Sequence, residues 1–383
     1  MLLVALLRVA VCDWAGDDAV RAACTPEALE KVCALATKYD LAHLLGIALN
    51  KLGFGNTPVA QIAGRQQMMA TFRYVQLSHE QESIIAVLEE GQIPFLPLKG
   101  AVLRGLYPEG WMRTSCDIDV LVHEEDLDRA AELLQTKLQY TLRGKTAHDL
   151  ALNAPSGVHL ELHYSVLEKS ELSMLPKVLE SIWEATVPAE GKQYNMMLDD
   201  AMFYCYHIAH MAKHFEIGGC GIRPFLDIWV LRHRVFYKED ARKDLLQKGG
   251  LLAFAEAAEN LSEHWFSGKN ADPISRQLAQ YILSGGNYGG VENRIAVKHT
   301  QNQKGFAYVL SRLFLPYDTM KIQFPILEKQ KWLLPFCHVA RWFKRLFDGG
   351  SARAAKELQT NANMTEEKVL STEELLRHLG LHT

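Results

Sequence analysis

Two aspartates in an apolar run have the types and spacing best suited to chemistry. Asp117 and Asp119 lie two residues apart in DIDVLV. On a strand both side chains point to one face, and the apolar side chains between them point to the other. Ionised carboxylates in such a run are costly unless a positive charge lies between them. A divalent cation fits, because Mg²⁺ prefers hard oxygen ligands and usually keeps waters and substrate phosphates in its remaining positions.

The context of this pair makes it more informative than an isolated D-x-D. A short apolar segment precedes it and runs into Lys99 and Gly100, which begin a predicted helix. A third carboxylate, Glu161, lies between apolar neighbours in VHLELH, a segment predicted to form a strand that pairs beside the first. The competing interpretation is that these acids only keep an exposed strand face soluble.

A stripe of histidines follows in a predicted helix. His207, His210 and His214 are spaced i, i+3 and i+7, so they share one face at the border of an apolar surface. Zinc is disfavoured, because one helix rarely presents three ligands tetrahedrally to one ion. A hydrogen bond from His210 or His214 to Asp227 of the next predicted helix is one interpretation, and a role at a binding cleft is the other.

Composition places the chain among ordinary globular proteins. It has 383 residues, 48% hydrophobic and 22% charged, with a net charge of −4. That charge does not indicate a nucleic-acid binder. Seven scattered cysteines without a C-x-x-C pair argue against a zinc ribbon or a disulfide framework. The apolar start lacks the basic region and cleavage site of a signal peptide, and no apolar run is long enough to span a bilayer. We therefore expect a cytoplasmic protein.

The elements that must position these residues divide the chain into four parts. Residues 1–91 are predicted to be helical, since Thr25-Pro26 and Thr57-Pro58 are helix-start signals. Residues 92–190 mix short strands and helices, 196–300 are again helical, and 301–383 form a basic, aromatic segment and tail. The predicted strands are Ile93–Leu98, Asp117–Val122, Ala147–Asn153 and Val158–Ser165. The predicted class is α+β: a small mixed β-sheet flanked by N-terminal and C-terminal helical regions.

The last part of the chain carries three further expectations. Residues 331–347, KWLLPFCHVARWFKRLF, are compatible with contact at a membrane surface, although burial against the body is commoner for such aromatics. Residues 284–290, SGGNYGG, read as a flexible linker. Residues 351–370 read as a polar linker, with Ser371 or Thr372 capping a terminal helix.

The full pattern resembles a known family. The order L-K-G, R-x-x-x-D-I-D-V-L-V, L-E-L-H and a helical H-x-x-H-x-x-x-H is similar to the uncharacterised nucleotidyltransferases, a branch of the DNA-polymerase-β-type nucleotidyltransferase superfamily. The motifs lie within residues 90–230. The chain departs from the superfamily in having Gly100-Ala101 where Gly-Ser or Gly-Gly is usual, and in a longer gap from that glycine to the aspartates.

The resemblance implies a site and a reaction. Asp117, Asp119 and Glu161 would be catalytic and would hold two Mg²⁺ ions against the triphosphate of a nucleotide. Phosphate and nucleotide contacts would come from the basic, glycine and helical residues of the motifs: Lys99, Gly100, Arg113, His207, His210, His214, Arg223 and Asp227. For Arg113 an ion pair with a neighbouring acid is an equal alternative.

Three functions follow as hypotheses. The first is Mg²⁺-dependent transfer of a nucleoside monophosphate from an NTP such as ATP to an unidentified hydroxyl or phosphate acceptor, with a small molecule or protein favoured over RNA. The second is a nucleotide-binding module of the same fold without turnover, acting as a sensor or partner subunit. The third is a metal phosphohydrolase built on the three histidines and Asp227.

Overall fold

The computed structural model describes residues 1–166, 177–287, 289–301, 309–311, 313–347 and 350–381. The N-terminal part is helical, as predicted. Thr25 and Thr57 accept hydrogen bonds from the backbone N–H groups of Ala28 and Ala60, which fixes the starts of two helices. The five helices are α1 (Leu2–Val11), α2 (Asp18–Ala23), α3 (Pro26–Lys38), α4 (Ala42–Leu52) and α5 (Pro58–Glu90).

A small mixed sheet follows, and the predicted α+β class is confirmed. Its strands lie in the order β1-β2-β5-β4-β3; β2 and β5 run parallel and the other neighbours run antiparallel. The predicted hairpin of β4 and β5 is present. The elements are β1 (Phe95–Pro97), α6 (Gly100–Leu103), β2 (Asp117–Val122), α7 (Leu127–Leu138), β3 (Thr141–Lys145), β4 (Asp149–Asn153) and β5 (His159–His163).

The two faces of this sheet have different partners. Ile118, Val120, Leu160 and Leu162 point to one face and are buried in a core shared with α5 and α7. Alternate residues of β2 and β5 point to the opposite face. The acids of both strands therefore lie together, away from this core.

Helices form most of the remaining described chain. Sequence reasoning did not find β3 or the hairpin of β6 (Thr186–Pro188) and β7 (Met196–Leu198). The helices are α8 (Asp200–Glu216), α9 (Arg223–His233), α10 (Glu239–Lys248), α11 (Leu252–Phe266), α12 (Pro273–Ser284), α13 (Val291–Thr300), α14 (Tyr317–Gln323), α15 (Leu334–Phe347), α16 (Gly350–Ala362) and α17 (Glu366–His378). No helix of the described residues is both long enough and apolar enough to cross a membrane.

A single large core joins the two ends of the chain. Buried side chains from α1, α3 and α4 lie in the same cluster as those of α8, α9, α11 and α17. That cluster extends from Leu3 to Leu381. The division of the chain into four parts at residues 91, 190 and 300 stays a prediction.

The predicted polar linker at 351–370 is wrong. Helix α16 occupies most of it and packs on α13, where His299 Nε2 lies 2.7 Å from Asn361 Oδ1. The last helix is capped by Thr365, which accepts from the N–H of Lys368, and Thr372 is buried inside that helix. These tertiary contacts outweigh the polar composition that suggested a linker.

The flexible linker expected at 284–290 stays a prediction, whereas the burial expected for the aromatic segment is wrong for Trp332 and Phe336. The glycine-rich segment after α12 packs closely on the loop after α8: a Cβ on Gly289, whose φ is +74°, would lie 2.4 Å from the carbonyl oxygen of Gly218. Trp332 and Phe336 are exposed, although burial was the commoner expectation. Pro335 does not interrupt the helix, because it lies in the first turn of α15, where its missing N–H costs nothing.

Candidate functional site

The register of β2 and β5 brings the three acids together. Asp119 lies opposite Glu161 across the parallel pair, and Asp117 lies opposite His159. Because side chains alternate along a strand, Asp117, Asp119 and Glu161 share one face. The sequence predicted that the strand with Glu161 pairs beside the strand with the two aspartates, and this pairing is present in the sheet.

Lys99 completes this group of charges. Its Nζ donates to Asp119 Oδ1 at 3.0 Å. Lys99 stands directly before α6 with φ +45° and ψ −113°, a sparsely populated conformation for a residue with a side chain. The next residue, Gly100, lies so close to Ser115 that a Cβ would be 3.2 Å from its hydroxyl oxygen. This tight turn aims the lysine at the carboxylates.

The carboxylates differ in their affinity for protons. Burial and the neighbouring Asp119 raise the pKa of Asp117. Burial also disfavours ionisation of Asp119, but Lys99 and His163 outweigh it and lower its pKa. A hydrogen bond with His163 lowers the pKa of Glu161. Two of the three acids are therefore held as carboxylates by fixed positive partners.

His163 is the site residue that sequence reasoning missed. Its Nε2 lies 3.0 Å from Asp119 Oδ1 and 3.4 Å from Glu161 Oε2. Burial lowers the pKa of His163, but the two carboxylates outweigh burial and raise it to about 8. Its position two residues after Glu161 on the same strand was the available signal, because that spacing returns a side chain to the same face.

A pocket of about 420 Å³ is lined by all eleven of the site residues expected from sequence. That volume lies in the range usual for small-molecule sites. The walls come from the β2–β5 face, the turn at Gly100, and helices α8 and α9. Further lining residues that sequence reasoning did not single out are Ser115, His148, Asp149, His163, Tyr206, Lys213 and Asn287.

Arg113 and Asp227 form a buried ion pair in one wall of this pocket. Arg113 Nε donates to both carboxylate oxygens of Asp227, at 2.8 and 3.0 Å, and the Tyr107 hydroxyl donates to the same carboxylate at 2.7 Å. Burial alone would lower the pKa of Arg113, and Asp227 raises it. Arg113 therefore forms an ion pair with an acid in this structure, which was the alternative to a phosphate contact.

The histidines of α8 line the pocket and contact one another and the backbone of α9. His214 Nε2 lies 3.0 Å from His210 Nε2, and His207 Nε2 lies 3.3 Å from the carbonyl oxygen of Pro224. The expected hydrogen bond from His210 or His214 to Asp227 stays a prediction; the contacts described for that carboxylate are those of Arg113 and Tyr107. Burial lowers the pKa of His207 and of His210, which keeps both imidazoles neutral.

Arg223 stands at the start of α9 and binds the N-terminal helical region. Its Nη2 donates to the backbone oxygen of Asp40 at 2.9 Å and also contacts the Asp40 carboxylate. The guanidinium thus ties the rim of the pocket to the turn between α3 and α4.

Asp119, Glu161 and His163 could hold a cation, whereas Asp117 shares their face but belongs to neither group of converging ligand atoms. Among the described residues, two groups place three ligand atoms within 4.8 Å of one another: Asp119 with Glu161 and His163, and His148 with Asp149 and His163. Neither group includes the α8 histidines, so the described residues do not favour the phosphohydrolase hypothesis. Carboxylate oxygens suit Mg²⁺, and an imidazole beside them also suits transition metals.

A small mixed sheet that presents three carboxylates and a lysine to one pocket defines the architecture of this α+β protein and the chemistry of its candidate site. Residues 25–267 match the family described as uncharacterised nucleotidyltransferase, and the chain belongs to that family. The matched region includes His163 and all eleven site residues expected from the sequence, so the resemblance seen in the sequence is confirmed. Neither the comparison with curated proteins nor that with solved structures finds a match.

Proposed function

We propose that this protein is a Mg²⁺-dependent nucleotidyltransferase that moves a nucleoside monophosphate from an NTP to a hydroxyl or phosphate acceptor. A new bond from the acceptor oxygen to the α-phosphorus forms as the bond to pyrophosphate breaks. One observation carries the proposal: the parallel register that sets Asp119 beside Glu161, with Asp117 on the same face and Lys99 at 3.0 Å. Membership of the family supports the reaction class.

Each acid has a role in this proposal. Asp117, Asp119 and Glu161 are the residues that would hold Mg²⁺, which when bound neutralises the triphosphate and stabilises charge in the displacement. The Glu161 side chain is 31% exposed and lines the pocket, whereas Asp119 is buried between Lys99 and His163. Glu161 is therefore better placed than Asp119 to accept the proton of the attacking hydroxyl.

The phosphate chain would lie against the turn before α6. Lys99 supplies a positive charge there, and Gly100 lets the backbone approach an anionic ligand closely. Arg113 contributes through its pair with Asp227, which shapes the wall. The α8 histidines and Arg223 would face the nucleoside or the acceptor from the other side.

The acceptor class follows from charge. A net charge of −4 disfavours an RNA acceptor, because binding to an RNA phosphate backbone normally relies on an excess of basic residues. A small molecule or a protein side chain is therefore the favoured acceptor.

The seven cysteines are free thiols, six of them buried, which supports the expectation of a reducing compartment such as the cytoplasm.

Titration calorimetry with each of the four NTPs, with and without Mg²⁺, tests the proposal. We expect Mg²⁺-dependent binding to wild type and a loss of about 100-fold or more in the Asp117→Asn/Asp119→Asn variant, because even outer-shell changes cost 10–100-fold at metal sites. The matched control is Glu125→Gln/Asp128→Asn, which changes net charge equally at two exposed residues near the sheet. Circular dichroism checks that both variants are folded.

Two outcomes of the calorimetry would refute the site: no binding to wild type, or equal binding to both double variants.

The second candidate is a nucleotide-binding module without turnover. It is favoured by Ala101, which lacks the hydroxyl usual at that turn. Pyrophosphate release with NTP and a panel of acceptors distinguishes the two, since only the enzyme produces it.

A further inference from the structure

Helix α15 presents an apolar face to solvent. Phe336, Val339 and Phe343 are spaced i, i+3 and i+7 and are 64%, 42% and 58% exposed, and Trp332 in the preceding turn is 67% exposed. The rings of Trp332 and Phe336 are in edge contact, with centroids 6.2 Å apart. Together these four side chains form a continuous stripe, which we call the α15 stripe.

The opposite side of the same helix holds it to the protein. Cys337, His338 and Arg341 are buried there, and Arg341 Nη2 donates to the carbonyl oxygen of Leu313. Trp342 also donates to that oxygen, at 2.9 Å. The helix is therefore anchored in a fixed orientation with the stripe turned outward.

Further apolar side chains are exposed in the same part of the chain. Phe314 is 51% exposed, and its ring centroid lies 5.4 Å from that of Trp342. Single exposed apolar residues are normal on proteins, but four along one face of a helix and its preceding turn mark an interaction site. It lies outside the region matched by the family, which ends at residue 267.

Charge identifies the kind of partner. Residues 301–350 carry eight Lys or Arg and three Asp or Glu, a net +5, so the rest of the chain carries −9. Lys329, Lys331 and Lys344 are exposed around the α15 stripe, with Glu328 as the exposed acid among them. A surface that is both apolar and basic, on an otherwise acidic protein, is complementary to one that is both apolar and anionic.

We propose that the α15 stripe binds the surface of an anionic phospholipid bilayer, with α15 lying in the plane of the interface. Trp332, Phe336 and Phe343 would enter the boundary between headgroups and acyl chains, where aromatic residues are favoured. The three lysines would contact lipid phosphates and carboxylates and so favour anionic bilayers. The association is peripheral and independent of nucleotidyl transfer.

Co-sedimentation of the full-length protein with vesicles tests this surface. Vesicles of phosphatidylcholine alone are compared with vesicles of equal parts phosphatidylcholine and phosphatidylserine. We expect binding only to the anionic vesicles, weakened by salt because the lysine contacts are screened. Trp332→Ala/Phe336→Ala/Phe343→Ala should lower the partition coefficient at least about tenfold, since three buried aromatic side chains are removed from the interface. Lys329→Glu/Lys331→Glu/Lys344→Glu should remove the preference for anionic lipid.

A matched control uses another exposed apolar group. Met68→Ala/Met69→Ala/Phe72→Ala removes three exposed side chains of α5 and should leave the partition coefficient unchanged. All the substituted side chains are exposed, so the variants keep their core. No binding by wild type, or an equal loss in the control, would overturn the proposal. So would self-association seen by light scattering that is abolished by the aromatic triple variant while vesicle binding persists, because the stripe would then face a second copy.

Discussion

At the scale of single residues, the pocket depends on how Asp119 is partnered. Its carboxylate lies 3.0 Å from both Lys99 Nζ and His163 Nε2, so two cationic groups converge on one oxygen. Lys99 reaches that position from a backbone conformation that side chains rarely adopt. Strain of this kind persists only where surrounding contacts enforce it, and here it serves to place a charge at the acids.

His163 provides a prediction about metal preference. If its imidazole joins Asp119 and Glu161 as a ligand, His163→Gln will weaken Mn²⁺ binding by about tenfold or more while changing Mg²⁺ binding less, because imidazole suits transition metals. Electron paramagnetic resonance of free Mn²⁺ gives the first constant, and competition by Mg²⁺ gives the second. His79→Gln, an exposed residue of α5, is the control. Equal weakening of both metals would show that the imidazole is not a selective ligand.

At the scale of elements, the pocket is assembled from segments that are distant in sequence. The β2–β5 face supplies the acids, the turn before α6 supplies the lysine, and α8 and α9 form the facing wall. Arg113, just before β2, pairs with Asp227 of α9 and so fastens the wall to the sheet. A deeply buried ion pair adds little net stability, because the cost of removing both charges from water offsets their attraction. Removing only one partner is destabilising, because it leaves an unpaired charge in a low-dielectric interior.

Asp227→Asn tests this connection. We expect it to lower the free energy of unfolding by about 3 kcal/mol or more, since it leaves the Arg113 guanidinium buried without its counter-charge and weakens the acceptor of the Tyr107 hydroxyl. Urea denaturation at constant pH measures the change. Asp244→Asn, which breaks an exposed pair with Lys248 on α10, should change stability by less than about 1 kcal/mol. Similar effects of the two substitutions would contradict the role of the buried pair.

At the scale of the whole molecule, the N-terminal helices belong to the same core as the pocket walls. His43 of α4 shows the connection: its Nε2 lies 3.0 Å from the carbonyl oxygen of Met112, directly before Arg113. Burial lowers the pKa of His43 to about 4. The folded protein thus keeps this imidazole neutral at pH values where the unfolded chain takes up a proton.

The lowered pKa of His43 determines how the stability of the protein changes with pH. Between the unfolded pKa of about 6.5 and the folded value of about 4, the unfolded state binds more protons, so stability falls as pH falls. The full effect is about 3 kcal/mol. Urea denaturation from pH 7 to pH 4 should show that His43→Gln reduces this loss relative to wild type, whereas His79→Gln follows wild type. Parallel curves for wild type and His43→Gln would refute the linkage.

Local patterns foretold the elements and several residues of the site. Thr25 and Thr57, each before a proline, marked the starts of α3 and α5, because a cap and a proline act within a few residues. Alternation along β2 put Asp117 and Asp119 on one face. The linker expected at 351–370 failed because contacts with α13, remote in sequence, stabilise a helix there.

What the sequence determined by itself was therefore the residue types, their periodicity and the local starts of helices and strands. The tertiary structure alone decided that Asp119 faces Glu161, that Asp227 pairs with Arg113, and that His163 joins the acids. The physical reason is range. Periodicity and capping act over a few residues, whereas strand register and buried ion pairs join segments tens to more than a hundred residues apart and depend on how the whole core packs.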